Sequence, residues 1–395
     1  MLRKFLEHII AIEFILFSGG VRFFMANQSY AMLVLLITSF IWLALNKWKI
    51  GKPFSFNLKI TLIICVWVCL NVFFINTDIK NKSYLIYIIL PLSCCICISL
   101  LDFYSFRNLF FKYLTILSSV SIIVQLIHDY IGIETTLFTI NDINYHLNFG
   151  IFNTEWGTNR LSSIFWEPGQ YQIILIFCLC LFVDELRDLS RWYTNFKKFS
   201  IILIALLMTQ STAGYITLML LIFFIMAFPK TKKRSIKILI SFILGCSISY
   251  VIFTSDAVQN KLNKESHGAE VSYNVRMADN LGCLRLAMEN PYFGAGISTI
   301  TASNKLLQYD SVTSSNGWLF NAACLGIIYP LFILTVLYWG IRRIVFGMPP
   351  ILIWLVLIIS QANESFTMLP YMWMFIFQYG SYNSNIFKYG TNNKS

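Results

Sequence analysis

Charge is what this chain has little of. Only 12% of its 395 residues are Asp, Glu, Lys or Arg, whereas 57% are apolar and mean hydropathy is +0.66. Soluble domains carry about 25% charged residues, so the composition argues against a water-soluble globule. Histidine is also scarce: His8, His128, His146 and His267 are scattered, without metal-ligand spacing. A disulfide framework is missing despite ten cysteines. Nine of them lie in apolar runs, and Cys283 alone falls in a long polar loop, without an obvious partner there. Cys94 and Cys97 form a C-x-x-C, but inside an apolar run, where helix packing is the simpler reading than a redox or metal pair. No internal repeat or low-complexity tract is visible.

What the chain does have is long apolar runs. A transmembrane helix needs about 20 mostly apolar residues. Such runs fall near 9–26, 30–46, 59–76, 84–101, 112–131, 164–183, 199–211, 213–228, 236–254, 318–339, 350–363 and 368–380. The expected fold class is all-α: a polytopic integral membrane protein of about 12 transmembrane helices. Glu13 and Arg22 interrupt the first run, and Glu7 and His8 spoil it as a signal peptide. It reads as a retained helix.

The stretch 199–228 is long enough for one tilted helix or two short ones. Its flanks decide. Arg187, Arg191, Lys197 and Lys198 precede it, and Lys230, Lys232, Lys233, Arg234 and Lys237 follow it. Two strongly basic flanks both belong on the cytoplasmic side. One crossing cannot place both ends there, so the chain crosses twice and turns near Gln210-Ser211-Thr212-Ala213-Gly214. Each arm is short for a span, so this pair is expected to be tilted, broken or shielded by protein.

With both termini cytoplasmic, 21 of the 30 Lys and Arg lie inside and nine outside. Thirteen acids fall outside and five inside, with Glu13 in the first span. The net charge of +11 is thus an orientation signal rather than a nucleic-acid surface. Two outer loops are long, 132–163 and 255–317, and loops of that length are usually functional or disordered. Within the second, Met277, Leu281, Leu284 and Met288 recur at helical spacing over 272–290. The spacing predicts an amphipathic helix, on the outer membrane surface or capping the bundle.

Several residues could carry chemistry. Arg160 opens R-L-S-S-I-F-W-E-P-G-Q-Y-Q, where the first long loop re-enters the membrane. Glu167-Pro168 then starts a helix, whose exposed N–H groups and dipole favour anions. An arginine beside such a start suits a phosphate; the plainer reading is an interfacial Arg paired with Glu167 or Glu155. Arg276 and Arg285 are nine residues apart, so at about 100° per residue they project from opposite helix faces. Ordinary surface ion pairs, Arg276 with Asp279 and Arg285 with Glu289, are the alternative. Asn290-Pro291-Tyr292-Phe293-Gly294-Ala295-Gly296 reads as a tight turn, either a structural corner or a phosphate or sugar contact. Its G-x-G follows no strand, which excludes a dinucleotide fold. Ser315-Asn316-Gly317-Trp318 leads into a span, and Glu364 is an acid close to the outer interface.

Taken in order, these features resemble the bacterial O-antigen polymerase family, relatives of the O-antigen ligases. The carrying segments are Arg160 with F-W-E-P-G, M-T-Q-S-T-A-G-Y (208–215), Arg276 on a loop helix, and N-P-Y-F-G-A-G (290–296). S-N-G-W-L-F-N-A-A-C-L-G-I (315–327) and N-E-S-F-T-M-L-P-Y-M-W (363–373) complete the set. They cover roughly 150–375; residues 1–130 match only as generic membrane helices. Two departures stand out. Many relatives have Ser-Arg where Ser211-Thr212 stands, and ligases tend to have His where Ser315 stands.

The resemblance implies a membrane glycosyltransferase acting at the outer face of the bacterial cytoplasmic membrane. Its donor would be a polyprenyl-pyrophosphate-linked oligosaccharide and its acceptor a hydroxyl on a second lipid-linked unit. Partners would be membrane lipids and a chain-length regulator protein; no nucleic acid and no cofactor are expected. Arg160 and Arg276 are the candidates for stabilising the leaving pyrophosphate, and Glu167 and Glu364 for the general base. Arg285, Asn290, Gly294, Gly296, Ser315 and Asn316 are the candidate substrate contacts. Neither long outer loop holds a D-x-D cluster, which suits a metal-independent reaction. A ligase, or a lipid-linked oligosaccharide flippase, is the alternative; flippases and secondary carriers usually have short loops and midplane charges.

Overall fold

The computed structural model describes residues 1–18, 21, 28–47, 51–75, 84–131, 136–140, 143–148, 151–154, 160–165, 167–188, 193–228, 267–297, 305–309, 316–361 and 369–381. Helices dominate them. In chain order they are α1 Leu2–Leu16, α2 Gln28–Leu45, α3 Lys52–Phe74, α4 Tyr84–Leu100 and α5 Phe103–Ile131. Then come α6 Pro168–Leu181, α7 Val183–Leu186, α8 Phe196–Met208, α9 Thr212–Ala227 and α10 His267–Glu289. The last are α11 Gly317–Leu325, α12 Ile328–Ile344, α13 Pro350–Gln361 and α14 Pro370–Ile376. The first long loop adds a small antiparallel sheet to the helical fold: β1 Thr136–Ile140, β2 Ile143–Asn148 and β3 Ile151–Thr154, in that order.

Two helices, α3 and α5, are long and apolar enough to cross a bilayer unaided, and α2, α4, α6, α9 and α13 are shorter apolar helices. Large apolar side chains face outward along several of them. Leu33, Val34, Ile37, Phe40 and Ile41 do so on α2, Leu62, Ile63 and Val66 on α3, and Ile116, Val120 and Ile123 on α5. A soluble monomer does not leave such continuous apolar surface open, so this belt is lipid-facing.

The centre of the bundle is α6, with every residue from Gln170 to Leu181 buried. An all-round apolar sequence suits a helix with protein on all sides. α5, α8, α9, α13 and α14 pack around it.

The geometry around α6 bears out the reversal expected within 199–228. Phe199, at the start of α8, packs on Phe182 just past the C-terminal end of α6, with ring centroids 6.0 Å apart. At the other end of α8 the Met208 carbonyl accepts from Leu161 N, seven residues before α6 begins. α9 returns. Its Gly214 lies against Gln172 near the N-terminus of α6, and the carbonyl of Phe228 receives Arg187 Nε beyond the opposite end. Gln210 makes the reversal with φ +46°, and Ser211 caps α9 by accepting from Gly214 N. At about 1.5 Å per residue the arms are about 20 and 24 Å long, short of a bilayer core of about 30 Å. Both lean on α6 instead.

The basic end of the bundle is knitted by two arginines. Arg107 pairs with Glu185 and also donates to the Leu181 carbonyl. Arg187 pairs with Asp184 at 3.4 Å and donates to the carbonyls of Phe228, Phe346 and Gly347. The same end gathers Asn46, Gly51, Ser99 and Ser381 around one cavity. Connections that the charge pattern assigns to one side therefore meet there. Arg107 and Arg187 are buried and bonded, so they count as structural groups and not only as topology signals.

Three expectations are corrected. The first span, 9–26, is replaced by α1, which starts at Leu2 and stops at Leu16. Glu13 inside it is buried and accepts from Thr38 Oγ1 at 2.8 Å, so an acid that hydropathy counts as a break is accommodated by a partner. The span 318–339 is broken at Gly326 (φ +85°) into α11 and α12. The spans starting at 59 and 112 start at Lys52 and Phe103, because helices continue through basic residues at the bundle's edge. On α10 the stripe Met277, Leu281, Leu284 and Met288 is exposed, while Asp279, Cys283, Leu286 and Ala287 are buried. α10 packs on α11 through its small side chains, which permit close approach. The span 236–254 lies outside the described residues.

Candidate functional site

At the end opposite the basic cluster, one cavity of about 300 Å³ opens between three parts of the chain. Arg160, Glu167, Pro168, Gly169 and Gln172 line it from the approach to α6 and its first turns. Ser211, Thr212, Ala213 and Ile216 line it from the start of α9, and Arg276 from α10. Three of the four residues singled out for leaving-group and base roles, Arg160, Glu167 and Arg276, thus converge, although 116 positions separate the first from the last.

Local bonding explains the placement. The segment 160–165 is pinned at several points. Leu161 N donates to Met208 O at 2.9 Å, Ser163 Oγ meets Ser121 Oγ at 2.7 Å, and Phe165 stacks on Tyr171 at 5.4 Å. Tyr171 in turn donates to Ser118 Oγ at 2.6 Å. Arg160 is half-buried, and its Nε donates to Thr209 O at 3.1 Å. That bond occupies one edge of the guanidinium. Pro168 sits at the first position of α6. It has no N–H to satisfy, and its fixed φ suits a helix start.

Two helix N-termini, of α6 and α9, share the cavity. Their first-turn N–H groups and dipoles present partial positive charge. With Arg160 and Arg276 they make a site for an anion with several oxygens. Glu167 is the acid beside it and is half-exposed.

The other expected contacts fall elsewhere. Arg285 is exposed, on the far face of α10 from Arg276, near Tyr309. The Tyr309 hydroxyl is bonded to the Glu289 carboxylate, which raises its pKa. Asn290 caps α10 by donating to Leu286 O at 3.2 Å. The turn that follows is a corner packed on the α11–α12 break. Ala295 N donates to Ala323 O at 2.8 Å, Gly296 N to Cys324 O at 3.1 Å, and Ile327 N to Pro291 O at 2.8 Å. Gly294 (φ +71°) and Gly326 face each other so closely that a Cβ on Gly294 would lie 2.4 Å from the Cys324 backbone. Asn71 of α3 clamps this corner, donating to the carbonyls of Phe293 and Cys324 and accepting from Ile297 N. Asn316 caps α11, accepting from Trp318 N and Leu319 N. Ser315 and Glu364 lie outside the described residues.

Sequence reasoning passed over Gln172, Ser211 and Thr212 as site residues. Gln172 is fully buried, and neither its Nε2 nor its Oε1 has a partner among the described residues; Thr212 Oγ1 is in the same position. The available signal was a pair of glutamines, Gln170 and Gln172, near the start of an otherwise apolar helix.

The fold and the site define a class: a membrane protein of packed apolar helices with a cationic cavity at one end. Residues 199–323 match the sequence model of the family described as O-antigen ligase. That stretch, which contains the α8–α9 turn and Arg276, is similar to the O-antigen ligase family. The match supports membrane glycosyltransferase chemistry of that general type in surface polysaccharide synthesis. No curated protein and no solved structure matches the chain.

Proposed function

We propose that this protein is an O-antigen polymerase. It joins polyprenyl-pyrophosphate-linked repeat units at the outer face of the bacterial cytoplasmic membrane, with both termini cytoplasmic. The observation that carries this reading is the convergence of Arg160, Arg276 and two helix N-termini on one cavity beside Glu167. In the reaction, an acceptor hydroxyl attacks the anomeric carbon of the donor sugar. The new bond is carbon to acceptor oxygen, and the bond that breaks is carbon to pyrophosphate oxygen. Negative charge grows on the departing pyrophosphate, where preorganised cations and N–H donors stabilise it. Two arginines and two helix ends supply that charge without a metal ion. Glu167 takes the acceptor's proton, within reach of the same cavity. Glu364 is the alternative base.

Asn290, Gly294, Gly296 and Asn316 act in this account as positioning residues. They hold α10, and with it Arg276, against the α11–α12 corner. Arg285, on the face of α10 away from the cavity, takes no part in it, and Ser315 is the remaining candidate substrate contact. The family description favours a second reading, transfer of finished polymer to another acceptor. Ser315, standing where ligases resemble one another in having His, speaks against it.

Deletion of the gene distinguishes the readings. A single repeat unit on its surface anchor is the expected result. Undecorated anchor with free polymer would indicate a ligase, and lipid-linked units held in the cytoplasm a flippase.

A further inference from the structure

Phosphate recognition does not use every group in the cavity. Gln172 is 0% exposed, yet it lines the cavity with both amide atoms unpartnered among the described residues. Thr212 Oγ1, across from it on α9, is likewise buried and unpartnered. Proteins seldom leave two such groups unpaired side by side, because each forfeits hydrogen bonds it would make in water. The backbone is shaped around the amide. A Cβ at Gly214 would come within 2.6 Å of Gln172 Oε1 and 3.2 Å of its Cβ. Glycine at 214 is what lets the amide sit over the first turn of α9.

The chemistry of these groups differs from that of the arginines. A glutamine amide presents one acceptor and two donors, all uncharged, and a threonine hydroxyl donates and accepts. Such a pair matches a hydroxyl or acetamido substituent better than a phosphate. Gln172 lies one helical turn, about 5.4 Å, inside the Pro168–Gly169 edge of the cavity. The cations come from the segment before α6 and from the loop helix α10, on the outer side of that edge. A ligand with its charged group at the arginines therefore places its neighbouring group at the amide. A volume of about 300 Å³ is at the small end of ligand sites and suits one sugar beside a phosphate, not an oligosaccharide.

From this arrangement we infer that Gln172, with Thr212, reads a neutral hydroxyl or acetamido group on the sugar nearest the pyrophosphate. The inference rests on the proposed function and adds a specificity determinant to it. A site with buried hydrogen-bonding groups rejects ligands that leave them unpaired.

The test uses the full-length protein in detergent and two lipids: the lipid-linked unit extracted from cells lacking the gene, and the same polyprenyl pyrophosphate without sugar. Wild type is expected to bind the sugar-bearing lipid at least about tenfold more tightly, the scale of a buried hydrogen bond. Gln172→Leu removes that preference and leaves affinity for the sugar-free lipid within about twofold. It also raises the melting temperature, since an apolar group of similar size replaces two unpaired polar atoms. Gly214→Ala, which displaces the amide, gives the same loss of preference by a different route. A Leu variant that keeps the full preference overturns the inference. So does one that loses both lipids equally while its melting temperature holds. Equal binding of both lipids by wild type overturns it alone, whereas failure of wild type to bind either lipid overturns the proposed function and this inference with it.

Discussion

Arg160 donates through Nε to the carbonyl of Thr209, 49 positions later, at 3.1 Å. This bond joins the approach to α6 to the reversal between α8 and α9, and it holds one cavity cation in a fixed orientation. Lysine has no planar fork with which to hold that carbonyl and face a phosphate at once.

Arg160→Ala and Arg276→Ala are each expected to cut chain growth by about a hundredfold or more, the usual cost of losing one group that stabilises developing charge. Protein level in the membrane should not fall. Arg285→Ala, on the opposite face of α10, should retain most polymer. Gel analysis of surface polysaccharide beside an immunoblot of membranes checks all three. Normal chain lengths in the first two variants would sink the site assignment.

Asn71→Ala should act on stability instead. It strips the Phe293 carbonyl and the Ile297 N–H of the Asn71 amide at the α11–α12 corner, at a cost of about 1–3 kcal/mol for each buried group left unpaired, while the Cys324 carbonyl keeps Gly296 N. The melting temperature in detergent should fall markedly, and activity should track the folded fraction. An unchanged melting temperature would show that the corner does not depend on this clamp.

Removing Arg187 should be as severe. Arg187→Ala leaves Asp184 buried without its cation and frees three carbonyls, a loss of about 3–5 kcal/mol for a broken buried pair. Lys197→Ala, an exposed basic residue on the same flank, should be neutral. Membrane levels of the two variants, followed after synthesis is stopped, separate a structural arginine from one that only marks topology.

The double crossing can be read by labelling single cysteines in a background lacking the native ones. A membrane-impermeant reagent should reach Gln210→Cys from outside and leave Lys197→Cys and Lys232→Cys unmodified until the membrane is opened. Labelling of the two flanks from opposite sides would restore a single tilted helix.

The reversal within 199–228 was legible because it rests on charge. Lysines and arginines at both ends of 199–228 carry the information, and the return of α9 alongside α6 agrees with it. Arg160, Glu167 and Arg276 were legible as members of an ordered motif set, although nothing in their spacing says that they share a cavity. The break at Gly326 was not legible, since an apolar run hides a positive-φ glycine whose reason is Tyr292, 34 positions earlier. The face by which α10 packs on α11 was not legible either. Periodicity reports where the large apolar residues lie, but α10 packs through Cys283 and Ala287, whose small side chains carry little signal. Gln172 was hidden because a glutamine in a buried helix, with Gln170 two positions before it, acquires meaning only when its unpaired amide is seen lining the cavity.

The most direct test of the central claim is a reaction in vitro. Purified protein in detergent is mixed with lipid-linked repeat units from gene-deleted cells, with a chelator present, and the products are separated by size. The account predicts a ladder of repeat multiples, one polyprenyl pyrophosphate released for each bond formed, and no ladder with Arg160→Ala or Arg276→Ala. Intact lipid-linked units with wild-type protein, or a ladder undiminished in both arginine variants, would contradict it.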